Sequence, residues 1–206
     1  MAEEEESKNL SFTRYLNSLN DPNRATRKRG LDGMKKELFA PGISKENMKS
    51  LYKDAQMALI RILHDPVEKC RELAVGIVSQ YFEATSDVEL LLPALVPCLV
   101  QRLGQQDIVE TSEELRLQLV QLTTNVITLA GKRNAVYLDD VVQILQRTII
   151  DPYPEVKKES CQCASALSNA IPENFHLQSE SLIKPLLTSI SHQHSRVRVA
   201  VVSAIG

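Results

Sequence analysis

Apolar residues along this chain recur at three- and four-residue intervals and break at prolines, which predicts a succession of short amphipathic helices. Leu10, Phe12, Tyr15, Leu16 and Leu19 suit a first helix ending at Asn20-Asp21-Pro22. Proline cannot continue a helix interior but fits at or before a new first turn. A second helix is predicted over about 23–39, with Leu31, Met34 and Leu38 inward, and Ala40-Pro41-Gly42 stops it. Ser44 can cap a helix carrying Leu51, Ala55, Ala58, Leu59 and Ile62. After His64-Asp65-Pro66 its partner carries Leu73, Ala74, Ile77, Val78 and Tyr81. Ser86 with Glu89, and Thr111 with Glu114, read as capping boxes. Pro93 falls beyond the first turn that Ser86 would open, so a bend or a late helix start is expected there. The helix after Thr111 carries Leu115, Leu119, Leu122 and Val126 and stops at Gly131. Helices over about 138–150 and 155–170 flank Asp151-Pro152-Tyr153-Pro154, and Pro172 ends the second. A last pair carries Leu182, Pro185, Leu186 and Ile190, then Val197 to Ile205, around a turn at 192–195.

These helices pair into a repeat. Asp-Pro stands at Asp21-Pro22, Asp65-Pro66 and Asp151-Pro152, and six residues after each Asp comes a base, Arg27, Arg71 or Lys157. A further copy has Glu110 and Arg116, and another has His192 at the turn and Arg198 six later, so the bases are 44, 45, 41 and 41 residues apart. Helix pairs with a period in the 40s are the signature of HEAT and armadillo arrays. The expected fold is an all-α, right-handed α-solenoid of about five HEAT repeats, over approximately 9–40, 44–84, 86–131, 137–171 and 179–206. A disordered acidic tail is expected over 1–8, and the last repeat reads as truncated, because no polar capping helix follows it. The turn from Gly104 to Thr111 is about three residues longer than its counterparts. Each turn acid can cap the helix that follows, and each base can reach the acid of its own or an adjacent repeat. Asp21, Arg27, Asp65, Arg71, Glu110, Arg116, Asp151, Lys157 and Arg198 would then form a structural ladder between repeats. Exposed rungs would each contribute about 0–1 kcal/mol, so register is their expected use.

Composition narrows the function classes. The chain is 43% hydrophobic and only 4% aromatic with no Trp, which suits stacked Leu, Val, Ile and Ala helices. A net charge of −2 gives no global field for nucleic acid or anionic lipid. The one basic cluster, Arg24 to Lys36, has no interleaved aromatics for base stacking. The longest apolar run, Leu90 to Val100, is 11 residues, short of the roughly 20 that a membrane span needs. The N-terminus lacks the basic-then-apolar order of a signal peptide, which leaves cytosol or nucleus as the expectation. Cys161 and Cys163 diverge on a helix, and with His192 and His194 they lack the two-to-four-residue spacing of structural zinc pairs, so no metal is expected. The four cysteines read as buried apolar thiols. No phosphate loop, dinucleotide fingerprint or nucleophile elbow occurs, so neither catalysis nor a cofactor is expected.

Beyond the generic repeat, particular strings carry a resemblance. EELRLQLVQL (113–122), LDD (138–140), KKESCQCA (157–164), FHLQSESL (175–182), ISHQH (190–194) and VRVA (197–200) resemble the N-terminal region of the dynein axonemal assembly factor 5 family, also called HEAT repeat-containing protein 2. The likeness is dense from Glu113 to Gly206 and thin before it. It implies a non-catalytic cytoplasmic scaffold that preassembles outer and inner dynein arms for motile cilia. The implied partners are axonemal dynein chains, intermediate or heavy, and chaperone or other assembly factors. No nucleic acid, membrane or small-molecule substrate is implied. The loop strings make His176, Gln178, Glu180, His192, Gln193 and His194 candidate partner contacts. A generic HEAT adaptor of nuclear transport or of a phosphatase complex is the alternative.

Overall fold

The computed structural model describes the backbone from Ala2 and the side chains from Leu10 onward; the side chains of the expected tail, residues 1–8, lie outside the described residues. Among the described residues the chain is helical and contains no strand. It divides into two compact units, Met1–Ser86 and Asp87–Gly206.

The first unit holds α1 (Ala2–Ser18), α2 (Arg24–Leu38), α3 (Lys45–Ile62) and α4 (Glu68–Thr85). The backbone of α1 is helical eight residues before Leu10, where the apolar pattern begins. α1 packs on α2 and α3 on α4, while α2 lies along α4 and α1 touches α3. The result is two layers, one of first helices and one of second helices, closed over Leu31, Met34, Leu38, Leu59 and Ile77. Asn23 opens α2 by accepting from the Ala25 N–H, and Ser44 opens α3 by accepting from the Asn47 N–H. Two glycines sit inside α2 despite their helix cost, because α1 comes close there. A Cβ on Gly33 would lie 2.4 Å from the Tyr15 ring, and one on Gly30 would lie 3.0 Å from the Tyr15 carbonyl oxygen. Tyr52 of α3 stacks face to face on Tyr81 of α4 at 3.5 Å.

The second unit holds α5 (Leu92–Leu103), α6 (Glu113–Ala130), a 3₁₀ segment (Gly131–Tyr137), α7 (Leu138–Thr148), α8 (Pro154–Ala170), the single turn α9 (Pro172–Phe175), α10 (Glu180–Ser189) and α11 (Ser195–Ile205). α5 pairs with α6, α7 with α8 and α10 with α11; α6, α8 and α11 form one layer, and α5, α7 and α10 the other.

Several local expectations are corrected. Ser86 opens no helix: it ends α4 in a left-handed conformation, φ 57°, with its N–H on the Phe82 carbonyl. As expected from Pro93, α5 starts late, at Leu92, which puts the proline in its first turn, where its missing N–H costs nothing. The cap of α6 is Ser112, not Thr111, and it accepts from the Leu115 N–H. Pro172 does more than end α8, since it opens α9. The 3₁₀ segment is held by Asn134, whose buried amide donates 2.7 Å bonds to the Ile127 and Gly131 carbonyls at the end of α6, the first of which also accepts the Gly131 N–H. Leu73 is only half-buried and Ile190 is 38% exposed, whereas Leu167 is fully buried.

Leu167→Ala should therefore destabilise the chain by about 2–5 kcal/mol, and Leu73→Ala by clearly less. Urea midpoints measure both, and equal shifts would mean that the inward face of α4 or of α8 is assigned wrongly.

Candidate functional site

Four turns of the repeat share one bonding scheme. In each, the acid two residues before the residue that opens the second helix accepts that residue's backbone N–H. Asp21 does so from Asn23 at 2.7 Å, Asp65 from Val67 at 2.8 Å and Asp151 from Tyr153 at 2.8 Å. Glu110, one carbon longer, does the same for Ser112 at 3.2 Å. The acid thus folds the turn back on itself and does not cap the helix interior, a bond type that short acidic side chains favour. Six residues on, the arginine reaches back from the second turn of the helix. Arg27 Nη1 donates to the Asp21 and Pro22 carbonyls, both at 2.9 Å, and Arg116 Nη1 donates to the Glu110 and Thr111 carbonyls. Arg71 Nη1 donates to the Asp65 carbonyl at 2.8 Å, and Arg198 Nη1 to the His192 and Gln193 carbonyls.

The rest of the guanidinium points to the next repeat. Arg27 holds Asp65 with two parallel bonds, Nε to Oδ2 at 2.7 Å and Nη2 to Oδ1 at 3.0 Å. Arg116 holds Asp151 with the same two bonds and the same distances. These rungs are not surface pairs. Arg27, Asp65, Arg71, Arg116 and Asp151 are buried, and Glu110 is wholly so. The expected 0–1 kcal/mol per exposed rung therefore does not apply; for a buried pair, removing one partner strands the other charge. The hydrogen bonds to Asp65 hold Arg27 charged above the usual arginine range, against the opposing effect of burial.

The scheme changes at the fourth base. Lys157 is half-buried, and the next turn offers it no carboxylate, since it carries His192 where the others carry an acid. Burial pushes Lys157 below the usual lysine range, only partly offset by Asp151 and Cys161. His192 keeps the turn closed in the acid's manner, its Nδ1 accepting from the His194 N–H at 3.1 Å. Loss of hydration, then the nearby charges of Lys157, His194 and Arg198, push His192 below the usual histidine range.

The candidate contacts fall into two turns of the second unit. In the first, Gln178 donates to Asp139 at the start of α7 at 2.7 Å, and the His176 carbonyl accepts from Ser179. Leu177 is 67% exposed, so it does not pin this turn to the core, and Phe175 is half-buried. His176 and Glu180 are exposed. In the second turn, Gln193 and His194 are exposed, and the His192 and His194 rings lie 5.2 Å apart. Sequence reasoning missed Arg102, which is buried at the end of α5 and ion-paired to Glu110. Arg102 is the last base before the longer turn, but it stands outside the repeat spacing and the burial of Glu110 does not show in the sequence, so no signal pointed to it. No group of three or more His, Cys, Asp or Glu among the described residues could hold a metal ion. Cys70, Cys98, Cys161 and Cys163 are buried thiols outside any disulfide, and burial pushes Cys98 and Cys163 up to about 12 and Cys161 up to about 11. No described helix is long and apolar enough to cross a membrane.

Two-layer helix pairs with an arginine–carboxylate bond from turn to turn define an α-helical repeat protein. Its backbone is similar to that of a designed armadillo repeat protein in complex with peptide (KR)4, with a TM-score of 0.64 at 18% identity over 93% of this chain and 79% of that one. The TOG domain of CEP104 is similar at a TM-score of 0.51 and 14% identity, over 93% of this chain and 77% of that one. The chain belongs to the dynein axonemal assembly factor 5 family: the family described as "Dynein axonemal assembly factor 5-like, TPR repeats" matches residues 18–206. It is 48% identical to dynein axonemal assembly factor 5 of Xenopus laevis over 95% of this chain, and 39% identical to the Homo sapiens protein over all of it. It spans only 23% and 25% of the length of those two relatives. The family description speaks of TPR repeats, whose period is about 34 residues. The spacing of 41 to 45 residues between bases in this chain is of the HEAT and armadillo kind.

Arg116→Ala should strand Asp151 and destabilise by about 3–5 kcal/mol, and adding Asp151→Ala should restore a large part of the loss. A double-mutant cycle in urea measures this, and purely additive losses would mean that the pair is uncoupled. His192→Asp should supply the missing acid opposite Lys157 and raise the melting temperature by about 2 °C, corresponding to somewhat under 1 kcal/mol. An unchanged or lower melting temperature would mean that Lys157 does not face position 192.

Proposed function

We propose that this chain forms part of a non-catalytic scaffold for the cytoplasmic preassembly of outer and inner axonemal dynein arms, as motile cilia require. The observation that carries this reading is its 38–48% identity, over 95–100% of its length, to vertebrate proteins named dynein axonemal assembly factor 5. The partners on this reading are axonemal dynein chains, intermediate or heavy, held together with chaperone or other assembly factors. A binding role suits the way charge is used. The buried charged pairs at Arg27, Arg102 and Arg116 are engaged with carboxylates inside the fold, in positions that set register. The buried thiols are held protonated by burial, which makes them poor nucleophiles. A helical-repeat array offers large clients an extended surface, with affinity spread over several repeats.

The turns around 176–180 and 192–194 are the contacts we favour. Gln178 and His192 are engaged in holding their own turns, so His176, Glu180, Gln193 and His194 are the side chains available to a client.

Cells lacking the protein should build cilia that are present but immotile, with both dynein arms reduced and dynein chains unstable in the cytosol. Electron microscopy of axonemes checks this, and normal arms would end the assignment. His176→Ala with His194→Ala, introduced into the full-length protein, should lower recovery of dynein chains severalfold in a pull-down from ciliated-cell cytosol while leaving the melting temperature unchanged. Unchanged recovery would remove only these turns from the interface.

A further inference from the structure

We propose that the cavity beneath the long turn between α5 and α6 is a binding site for one acidic side chain, a carboxylate or a phosphoserine, presented by an extended peptide with apolar residues on either side of it.

The turn from Gly104 to Thr111 exceeds its counterparts in length, and the extra chain forms one wall of a cavity of about 200 Å³. Arg102, Gln105, Asp107, Ile108, Arg147 and Asp151 are among its lining residues. A cavity of this size is smaller than the roughly 300–1,000 Å³ of pockets for free small molecules, but it accommodates the head of one side chain. The wall is held in place from both sides. Gln143 of α7 donates to the Gly104 carbonyl at 3.0 Å, and Gln105 donates to the Val100 carbonyl at 3.0 Å.

The donors select the ligand. The Arg102 side chain is only 10% exposed; one of its Nη atoms is on Glu110, but its Nε–H is buried with no partner. That Nε–H lies too deep for an outside oxygen to reach, so the Arg102 donor open to a ligand is the Nη that Glu110 does not hold. Arg147 stands exposed on the same cavity, and no described carboxylate pairs with it. Guanidinium groups only donate, and their fork matches a carboxylate or phosphate edge. The Arg116 guanidinium is already bonded to Asp151, so the two arginines left for a ligand are Arg102 and Arg147. Asp107 is the opposing charge: it is exposed on the lining, where it weakens any anion without excluding it.

The rim indicates a peptide in preference to a free ion. Ile108 is 52% exposed, Val109 43% and Ile150 42%, and Ile108 and Ile150 line the cavity itself. An inorganic anion gains nothing from this apolar rim, whereas a peptide carrying apolar residues beside its acid covers it. The site repeats the chemistry of the rungs, a carboxylate meeting an arginine fork at a turn, with the carboxylate supplied from outside. It is separate from the turns favoured for client binding above, so its failure leaves that reading standing.

The test uses the 206-residue chain and three fluorescein-labelled octapeptides that differ in one central residue flanked by leucines: glutamate, phosphoserine or glutamine. Anisotropy reads affinity, and the Nε–H resonance of Arg102, identified by its loss in Arg102→Lys, reads location. The glutamate and phosphoserine peptides should bind saturably and move that resonance, with the glutamine peptide about tenfold weaker. The exposed-site variants Arg147→Ala and Asp107→Asn should weaken the glutamate peptide about tenfold and tighten it about threefold, respectively. Equal binding of the glutamine peptide, an Arg147→Ala variant that binds as the parent does, or no saturable binding would each overturn the proposal. Inorganic phosphate moving the Arg102 resonance where the peptides do not would overturn the peptide source.

Discussion

One side chain joins the two scales of this fold. Arg27 and Arg116 each donate from Nη1 to two carbonyls of their own turn and, through Nε and Nη2, clamp the aspartate of the next turn. The same aspartate accepts the N–H that closes its own turn. Turn closure and repeat stacking therefore form together, because neither the guanidinium nor the carboxylate is satisfied until both have formed. Burying such a pair is costly, and two-pronged geometry with four of the five guanidinium N–H groups bonded is what offsets it. An apolar pair of the same volume could stabilise as well, but it would tolerate sliding. A two-pronged bond with fixed distances does not, so the clearest consequence is register.

That constraint explains the layer arrangement within each unit. The bond runs from one second helix to the turn leading into the next, so it fixes α2 beside α4 in the first unit and α6 beside α8 in the second. The first helices are free to vary, and they do: α5 begins late at Leu92 and carries Pro97, while α10 is short and contains Pro185. Where the clamp is replaced, at Lys157 and His192, α8 and α11 still pack together, with the fully buried Leu167, Val197 and Val201 among the apolar residues between the layers. A histidine pushed down by loss of hydration, and then by the charges of Lys157, His194 and Arg198, avoids a clash with the lysine there. The packing persists with less electrostatic specification.

The all-helical repeat was legible because each turn uses acid and base at one spacing, and a period of 41 to 45 residues has few structural solutions. Burial was not legible in the same way. A polar pattern on a helix looks the same whether water or the next repeat faces it, so Arg27 and Arg116 read as surface residues although both are buried. Capping was misread by one residue at Thr111, because both Thr111 and Ser112 are competent caps and only the path of the turn decides between them. Ser86 misled for a related reason: the same residue type can end a helix in a left-handed conformation or begin one. Arg102 was invisible because its partner, Glu110, lies across a turn whose length breaks the period.

Places where the period breaks are also the places where the chain is free to do something other than stack. Within a regular turn every polar group has a task set by the repeat, and a substitution there disturbs two neighbours at once. The segment from Gly104 to Val109, ahead of the Glu110 that closes the turn, and the stretch from Pro172 to Ser179 are relieved of that duty. They carry exposed apolar and imidazole groups, Ile108, Val109, His176 and Leu177, that contribute nothing to the core. Leaving such groups in water gains the fold no stability, so their presence calls for a different account. On the binding reading they are what a client meets first. The rungs, by holding register beneath them, keep these irregular turns fixed in position relative to the helices on which they stand.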